Sequence, residues 1–364
     1  MSQIIIYIMA FFAVIGAVDR CMGNKYGYGK KFEEGINSAG PLVLAMVGIL
    51  SLTPIISKLL YPIVNFLHKL TGADPSLFIN SFLAVDMGGY ALALELAKTN
   101  DAALFSGLIV GSMLGTTIIF TIPIAFGIIE EEDKSIFAKG ILSGVSTIPI
   151  GAIAGGLVAG FPLKLIVMNT IPIIIFSSLI CLGLKYWPEK LSKSFIKLGK
   201  FMTIVITLGL AITIVETLTG KVPFENLNPI DSSMKTITRI AITLSGALPL
   251  VHFITKHYEK PLLKLARIMH TNESAIAGLL ASLANCIPMF KILNQMDRNG
   301  KIINTAFSVS GAFVLGGQLA FIANANGDMI VPFIVSKLVA GGSAIFVAKK
   351  LFINLKGEIY EKTF

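Results

Sequence analysis

Eleven long apolar segments, joined by short polar connections, constrain this chain more than any other feature. They cover residues 3–18, 40–67, 76–97, 104–129, 137–159, 163–186, 196–218, 236–255, 274–292, 303–326 and 329–350. A helix that crosses a bilayer needs about 20 predominantly apolar residues. Outer-membrane strands would instead alternate apolar and polar residues over stretches of about ten. The pattern therefore predicts an all-α polytopic membrane protein.

The balance of charged and apolar residues supports this class. Only 14% of the 364 residues are charged and 54% are hydrophobic, whereas soluble domains carry about 25% charged residues. A soluble chain with so few charges could not cover its own surface. The net charge of +9 does not indicate nucleic-acid binding, because Lys and Arg cluster between the apolar segments as in cytoplasmic loops. We expect a multi-pass protein of the cytoplasmic membrane, in contact with lipid.

Signatures of catalysis and of metal binding are missing from the sequence. The three cysteines, Cys21, Cys181 and Cys286, are odd in number and lack CxxC spacing, so neither disulfides nor a zinc site is indicated. There is no P-loop, no GxGxxG after a strand and no HExxH among the four histidines. The sequence predicts a protein that is not an enzyme and needs no metal or cofactor.

Two of the apolar segments contain a polar residue at mid-length beside a helix breaker. Segment 76–97 contains Asp86 followed by Gly88-Gly89, and segment 274–292 contains Asn285 followed by Pro288. Irregular backbone at membrane depth is tolerated only where it faces protein or a water-filled cavity. We expect both breaks to line a polar pathway.

The same two segments belong to an internal duplication with an offset of about 200 residues. The matches are Lys58 with Lys256, Pro62 with Pro261, Ser76 with Ser274, Leu83-Ala84-Val85-Asp86 with Leu283-Ala284-Asn285, and Gly111–Gly115 with Gly311–Gly316. Five matches in one order predict two repeats. We assign the first repeat to residues 1–160, a linking helix to 161–194 and the second repeat to 195–364.

Loop charges indicate how the repeats are oriented. If all eleven segments cross the membrane, Lys and Arg number 16 in the inside loops and 13 in the outside loops. If the two broken segments instead enter and leave on one side, the numbers become 22 and 7. The positive-inside rule favours this second topology, which has nine crossings and two inverted repeats, each with a broken or re-entrant helix. Secondary transporters have this architecture.

Asp86 is the first candidate for a substrate-binding residue. An ionised carboxylate inside the membrane is expensive unless it meets a cation, a helix N-terminus or water, so it suits an ammonium substrate. Two other interpretations stay open for Asp86, a position near the interface and a structural ion pair with Lys337. Gly88 and Gly89 would let the chain unwind and expose carbonyl groups, although glycine also serves close helix packing.

The second break supplies further candidates. Asn285 is the counterpart of Asp86, and Pro288 cannot donate to the helix hydrogen bonds. An amide opposite a carboxylate suits a substrate with one charge and one hydroxyl, but Asn also joins helices in membranes. Gln318 faces either the cavity, where we expect it to help bind the hydroxyl group, or a neighbouring helix.

The remaining candidates are Lys337, Asn324 and Glu95. Lys337 lies near mid-membrane. We expect it either to pair with Asp86 and release that carboxylate when substrate arrives, or to extend its long side chain so that the ammonium reaches the membrane surface. Asn324 faces the cavity or a neighbouring helix, and Glu95 is a weaker acidic candidate close to the interface.

Several motifs of the chain resemble one family, the ethanolamine-utilisation permeases (EutH). They are Phe32-Glu33-Glu34-Gly35, Asp86-Met87-Gly88-Gly89, Ile148-Pro149-Ile150-Gly151 with Gly155-Gly156-Leu157, Pro188-Glu189-Lys190, Leu283-Ala284-Asn285 with Ile287-Pro288-Met289-Phe290, and Gln295-Met296-Asp297. The resemblance runs nearly from end to end. Two departures are Cys286, where a second Asn is common, and Gly317-Gln318, where an Asp-His pair can occur.

The resemblance implies a carrier that imports ethanolamine across the cytoplasmic membrane for catabolism. Two alternatives stay open beside it: a channel-like facilitator of neutral ethanolamine, whose substrate again comes from the resemblance, and an ion-coupled carrier of another small amine or metabolite, which the architecture permits equally. A homodimer is expected only by analogy with other carriers that contain re-entrant segments.

Overall fold

The protein is described here by a computed structural model, which covers residues 2–221, 227–257 and 271–353. Its α-helices are α1 (Ser2–Cys21), α2 (Tyr28–Asn37), α3 (Ala39–Thr71), α4 (Pro75–Asn80), α5 (Tyr90–Leu96), α6 (Asn100–Leu104), α7 (Ile122–Ile128), α8 (Lys134–Val158), α9 (Leu163–Tyr186), α10 (Pro188–Thr219), α11 (Ile230–His257), α12 (Glu273–Ala284), α13 (Cys286–Lys291), α14 (Arg298–Gly311), α15 (Gly317–Ala325) and α16 (Ile330–Phe352). Short 3₁₀ turns lie at Glu131–Asp133, Leu293–Gln295 and Gly327–Met329. No strand occurs within the described ranges, so the all-α prediction is confirmed.

Eight helices in the described ranges are long and apolar enough to cross a membrane. Their outward faces are apolar, the reverse of a soluble protein. Helix α9 alone exposes seven large aliphatic side chains, namely Leu163, Val167, Ile171, Ile174, Ile175, Leu179 and Leu182. An exposed apolar surface of this extent is stable only against hydrocarbon, as expected for a polytopic membrane protein.

The first broken segment folds back on itself as a hairpin, residues 75–96, made of α4, a kinked turn (Val85–Gly89) and α5. Its two ends meet: Asp74 accepts a hydrogen bond at Oδ1 from Ser76 N (2.9 Å) and one at Oδ2 from Lys98 N (2.9 Å). One carboxylate thus caps α4 and holds the exit of the hairpin. A segment whose ends are in contact does not run from one face of a bilayer to the other.

The second broken segment forms an equivalent hairpin, residues 273–291, made of α12 and α13. Asn272 caps α12 through Ala275 N (3.1 Å) and donates from Nδ2 to Gln295 O (2.9 Å) beyond the hairpin. Its backbone N–H also donates to Asp297 Oδ1 at 2.9 Å. The predicted breaks are therefore present in the fold, and the two ends of each segment lie together, as a re-entrant course requires.

A third break, at residues 312–316, contradicts the expectation of one helix over 303–326. There the chain separates α14 from α15 and runs beside the break of the second hairpin. Phe313 N donates to Ser282 O (2.9 Å) and Leu315 N to Leu283 O (2.8 Å). These contacts satisfy backbone groups that a helix would otherwise satisfy internally. The approach is so close that a Cβ on Gly316 would lie 2.0 Å from Ala284 O.

The corresponding part of the first half stays helical but is wound more loosely. Two π-helical stretches, Phe105–Gly115 and Thr117–Thr121, replace the regular helix predicted over 104–129. π-Helical turns are rare and often mark functional sites. Gly115 packs against the break of the first hairpin, since a Cβ there would lie 2.0 Å from Leu83 O. Each hairpin break therefore packs against a glycine and a stretch of irregular helix.

Helix α16 is positioned by small residues on α8. A Cβ on Gly151 would lie 2.5 Å from Ser336 O, and one on Gly155 would lie 2.7 Å from the Ser336 side chain. Such contacts let helix backbones approach closely in membranes, and they set the depth of Lys337, the next residue. Whether the two halves form inverted repeats stays a prediction. Pro261, and residues 354–364 of the second repeat, lie outside the described residues.

Candidate functional site

The two hairpin breaks open into one cavity of about 640 Å³. Its walls come from α2 and α3, from both hairpins, from the π-helical stretches, from α11 and from the third break. The lining side chains used below are Asp86, Thr116, Phe120, Asn285, Pro288, Phe313 and Gln318. Most of the remaining wall is apolar, including Leu42, Met46, Leu244, Leu248 and Leu280, and Lys31, Glu34 and His252 contribute charged or titratable groups. The tertiary structure thus brings together four residues that the sequence singled out in three separate segments.

Asp86 supplies a carboxylate that has no cationic protein partner in contact. It lies at the start of the kinked turn and is partly exposed within the cavity. Within the described residues no ion pair joins it to a Lys, Arg or His. A carboxylate at this depth needs a positive partner. A positively charged ligand bound in the cavity can supply one.

Gly88 and Gly89 shape the turn that presents Asp86, but they do not line the cavity. Gly88 adopts φ +89°, and a Cβ on it would lie 2.3 Å from the Ile49 side chain. A Cβ on Gly89 would lie 2.6 Å from Ala84 O, the carbonyl that caps the turn. The predicted exposure of carbonyl groups to a bound cation at these glycines stays a prediction.

Asn285 occupies the matching position in the second hairpin. Its backbone is extended (φ −160°, ψ 136°), and its Oδ1 accepts a hydrogen bond from Ile287 N at 2.9 Å, capping α13. Pro288 lies in the first turn of α13, where a missing N–H costs nothing. Nδ2 of Asn285 has no hydrogen-bond partner among the described residues, so this amide lines the cavity with a free donor.

Lys337 and Gln318 form a buried network on one side of the cavity. Lys337 is 1% exposed, and its Nζ donates to Ser112 O (2.7 Å) and to Gln318 Oε1 (2.9 Å). Gln318 Nε2 in turn donates to Thr116 Oγ1 at 2.7 Å. The predicted ion pair between Lys337 and Asp86 is wrong, because neutral oxygens are closer to the ammonium. The two charges still interact electrostatically at longer range.

Two candidates lie away from the cavity. Asn324 donates from Nδ2 to Thr243 Oγ1 (3.0 Å) and to Ala320 O (2.7 Å), so it joins α15 to α11. Glu95 is exposed near the end of α5. The structure gives a helix-joining role to Asn324 and no contact with the cavity to Glu95.

The aromatic part of the cavity wall was missed at the level of sequence. Phe313 has a left-handed backbone (φ +65°), which is rare outside glycine, and its ring packs edge-on against Phe120 with centroids 5.6 Å apart. Thr116 was also missed, although it follows the Gly111–Gly115 match directly. The repeated glycines were the available signal, because they marked where the helices would be irregular.

Comparison with known proteins assigns this arrangement to a family. The family described as "Ethanolamine utilisation protein, EutH" matches residues 1–351. The chain belongs to the EutH family. A relative named "Probable ethanolamine permease EutH" from Listeria monocytogenes is 51% identical over 95% of this chain and 93% of its own length. No solved structure matches the chain.

Two further relatives extend the EutH comparison. One from Escherichia coli, also named "Probable ethanolamine permease EutH", is 44% identical over 96% of this chain and 95% of its own length. An "Uncharacterized protein YxeR" from Bacillus subtilis is 45% identical over 95% and 94%. Permeases transport rather than catalyse, so the expectations of a multi-pass cell-membrane protein and of a non-enzyme are confirmed for this EutH chain.

Proposed function

We propose that this protein carries ethanolamine across the cell membrane and binds it between Asp86 and Asn285. One observation carries the proposal: a carboxylate without an ion-pair partner and an amide donor without a hydrogen-bond partner, both judged among the described residues, line the same cavity at the breaks of two hairpins. The names of the relatives support ethanolamine as the cargo.

The chemistry of the two side chains matches the two ends of the substrate. Protonated ethanolamine has an ammonium group with three donors and, two carbons away, a hydroxyl oxygen that accepts. The ammonium binds the Asp86 carboxylate through charge-assisted hydrogen bonds. The hydroxyl oxygen accepts from Asn285 Nδ2. Gln318 takes no direct part, because its amide already holds Lys337 and Thr116.

The proposed transport cycle is alternating access by two inverted repeats, residues 1–160 and 195–364, joined by 161–194. The hairpins enter from opposite sides, so that movement of one half against the other exposes the cavity to one face at a time. The loop charges support this arrangement, since they place the ends of the first hairpin outside and those of the second inside.

A facilitator for neutral ethanolamine is the alternative to a carrier. A neutral amine has no need of the Asp86 carboxylate, which favours the carrier. In proteoliposomes, a carrier exchanges external labelled substrate faster when unlabelled ethanolamine is inside, whereas a facilitator shows no such trans-stimulation. Contact with lipid along α9 and assembly into a homodimer are also proposed. Light scattering of the purified protein, corrected for detergent, measures the oligomeric state.

Uptake of labelled ethanolamine by proteoliposomes tests the function directly. We expect Asp86→Asn to lower uptake at least about 100-fold, because a buried ammonium loses its counter-charge. Glu95→Gln is the matched control, since it removes an exposed carboxylate outside the cavity, and it should stay within about twofold of wild type. Near-normal uptake by Asp86→Asn, with intact insertion, would remove Asp86 from the mechanism.

A further inference from the structure

Lys337 is a buried cation that the proposed binding of ethanolamine does not use. It lies on α16, is 1% exposed and does not line the cavity. Its Nζ bonds to Ser112 O and Gln318 Oε1 and lies 5.4 Å from the centre of the Phe333 ring. A buried charge is retained only where its surroundings compensate it, so this site is built around a positive charge.

The oxygens that hold Lys337 are those that commonly bind a small metal cation. One is a backbone carbonyl and the other a side-chain amide oxygen, and both are neutral. Hard cations bind carbonyl oxygens of this kind, and in carriers such carbonyls come from irregular helices at mid-membrane. Ser112 lies in the π-helical stretch Phe105–Gly115, and Gln318 follows the third break directly.

The position of the ammonium links both halves of the chain. Lys337 and Gln318 belong to the second half, whereas Ser112 and Thr116 belong to the first. The positive charge also acts on Asp86 across a longer distance without contacting it. A cation at the position of the Lys337 ammonium therefore holds the π-helical stretch Phe105–Gly115 against α15 and α16. It also contributes to the electrostatic potential at the Asp86 carboxylate.

We infer that the Lys337 ammonium is a tethered replacement for a coupling cation, so that this protein moves its substrate without sodium. In an ion-coupled carrier, a dissociable cation holds such carbonyl groups together only while it is bound. Here the cation is covalently attached to α16 and never leaves. The inference rests on the proposed function only for its statement about transport. The occupancy of the cation site by Lys337 can be tested without any transport assay.

Thermal unfolding of the purified, full-length protein tests the site itself. The probes are the chlorides of sodium, methylammonium and N-methylglucamine at equal ionic strength. We expect the Tm of the wild type to be the same in sodium and in N-methylglucamine within about 1 °C; any rise in methylammonium measures binding at Asp86 and is subtracted from that of the variant. Lys337→Ala should unfold at lower temperature and regain several degrees in sodium or methylammonium, because a ligand that binds only the folded state stabilises it. Lys350→Ala is the control, an exposed lysine on the same helix.

Two results would overturn the inference. One is a sodium-specific rise in the Tm of the wild type, which would reveal a separate sodium site. This measurement uses the wild type alone and does not depend on whether the variant folds. The other is a folded Lys337→Ala protein whose Tm responds to no small cation, which would leave Lys337 as a packing residue.

Uptake measurements then test the consequence for transport. We expect wild-type ethanolamine uptake to change less than about twofold when sodium is replaced by N-methylglucamine. Uptake by Lys337→Ala should fall at least about tenfold and recover in part with sodium. A wild type that needs sodium for uptake contradicts the inference. A wild type that takes up no ethanolamine under any condition contradicts the proposed function instead, and the unfolding experiment still decides the role of Lys337.

Discussion

Asp86 and Asn285 line the same cavity from the breaks of two different hairpins. Each hairpin folds back on itself, and the residues at its two ends are hydrogen-bonded to each other. In the part of the chain that the structure describes, the carboxylate lacks a contacting cation and the amide retains a free donor. The pair therefore defines a small polar site inside a cavity whose wall is mainly apolar.

The amide of Asn285 should discriminate between substrates with and without a hydroxyl group. Asn285→Ser keeps an oxygen that can cap α13 but removes the Nδ2 donor. We expect the concentration of ethanolamine that gives half-maximal inhibition of labelled uptake to rise about tenfold, since one hydrogen bond contributes about 1–2 kcal/mol when its loss leaves a buried group unpaired. Ethylamine, which has no hydroxyl, should compete equally well against both proteins. An equal loss for both amines would contradict this role.

Gly88 should be sensitive to the smallest possible side chain. Gly88→Ala places a Cβ 2.3 Å from Ile49 at φ +89°, and a left-handed backbone alone costs a residue with a side chain about 1–2 kcal/mol. We expect a lower Tm and at least about tenfold less uptake. Gly342→Ala is the control, because nothing lies within 4 Å of its added Cβ. Equal effects of the two substitutions would refute the close packing at Gly88.

The hairpin topology predicts from which side each connection can be labelled. In a protein whose three native cysteines are replaced by alanine, Lys69→Cys and Asn100→Cys should both react with an impermeant maleimide from outside. Glu273→Cys and Gln295→Cys should react only from inside. All four native side chains are exposed. Labelling of Lys69→Cys and Asn100→Cys from opposite sides would show that the segment between them crosses the membrane.

The size of the cavity predicts a class of inhibitors. At about 640 Å³ the cavity is far larger than ethanolamine, and its wall beyond Asp86 is mainly aliphatic. N-alkylethanolamines should therefore compete with ethanolamine more strongly as the alkyl chain lengthens, by about threefold for each methylene over the first few carbons. Inhibition constants for the N-methyl to N-hexyl series measure this trend. No gain in potency along the series would place the substrate outside this cavity.

Much of the fold follows from local features of the sequence. The lengths of the apolar segments fix the membrane class, and all eleven segments are helical in large part. The breaks at Asp86 and Asn285 were predictable because glycine and proline act on their own neighbours in the chain. The glycines at 311 and 316 indicated only that the helix there could be irregular; its actual break depends on the backbone of residues 282–283, which offers acceptors to Phe313 and Leu315.

The candidate site likewise combines features that local sequence predicts with features that depend on tertiary contacts. By itself, the sequence determined that polar residues lie at mid-membrane and which two segments carry them, since a carboxylate or an amide in an apolar run is visible without any partner. Only the tertiary structure decided that Asp86 and Asn285 share a cavity, that Asn324 and Glu95 lie outside it, and that Lys337 bonds to Ser112 and Gln318 rather than to Asp86. Which side chains become hydrogen-bond partners depends on which helices are in contact. Small residues such as Gly151 and Gly155 determine those contacts, and they bring together segments that are far apart in the sequence. A local sequence pattern does not contain this information.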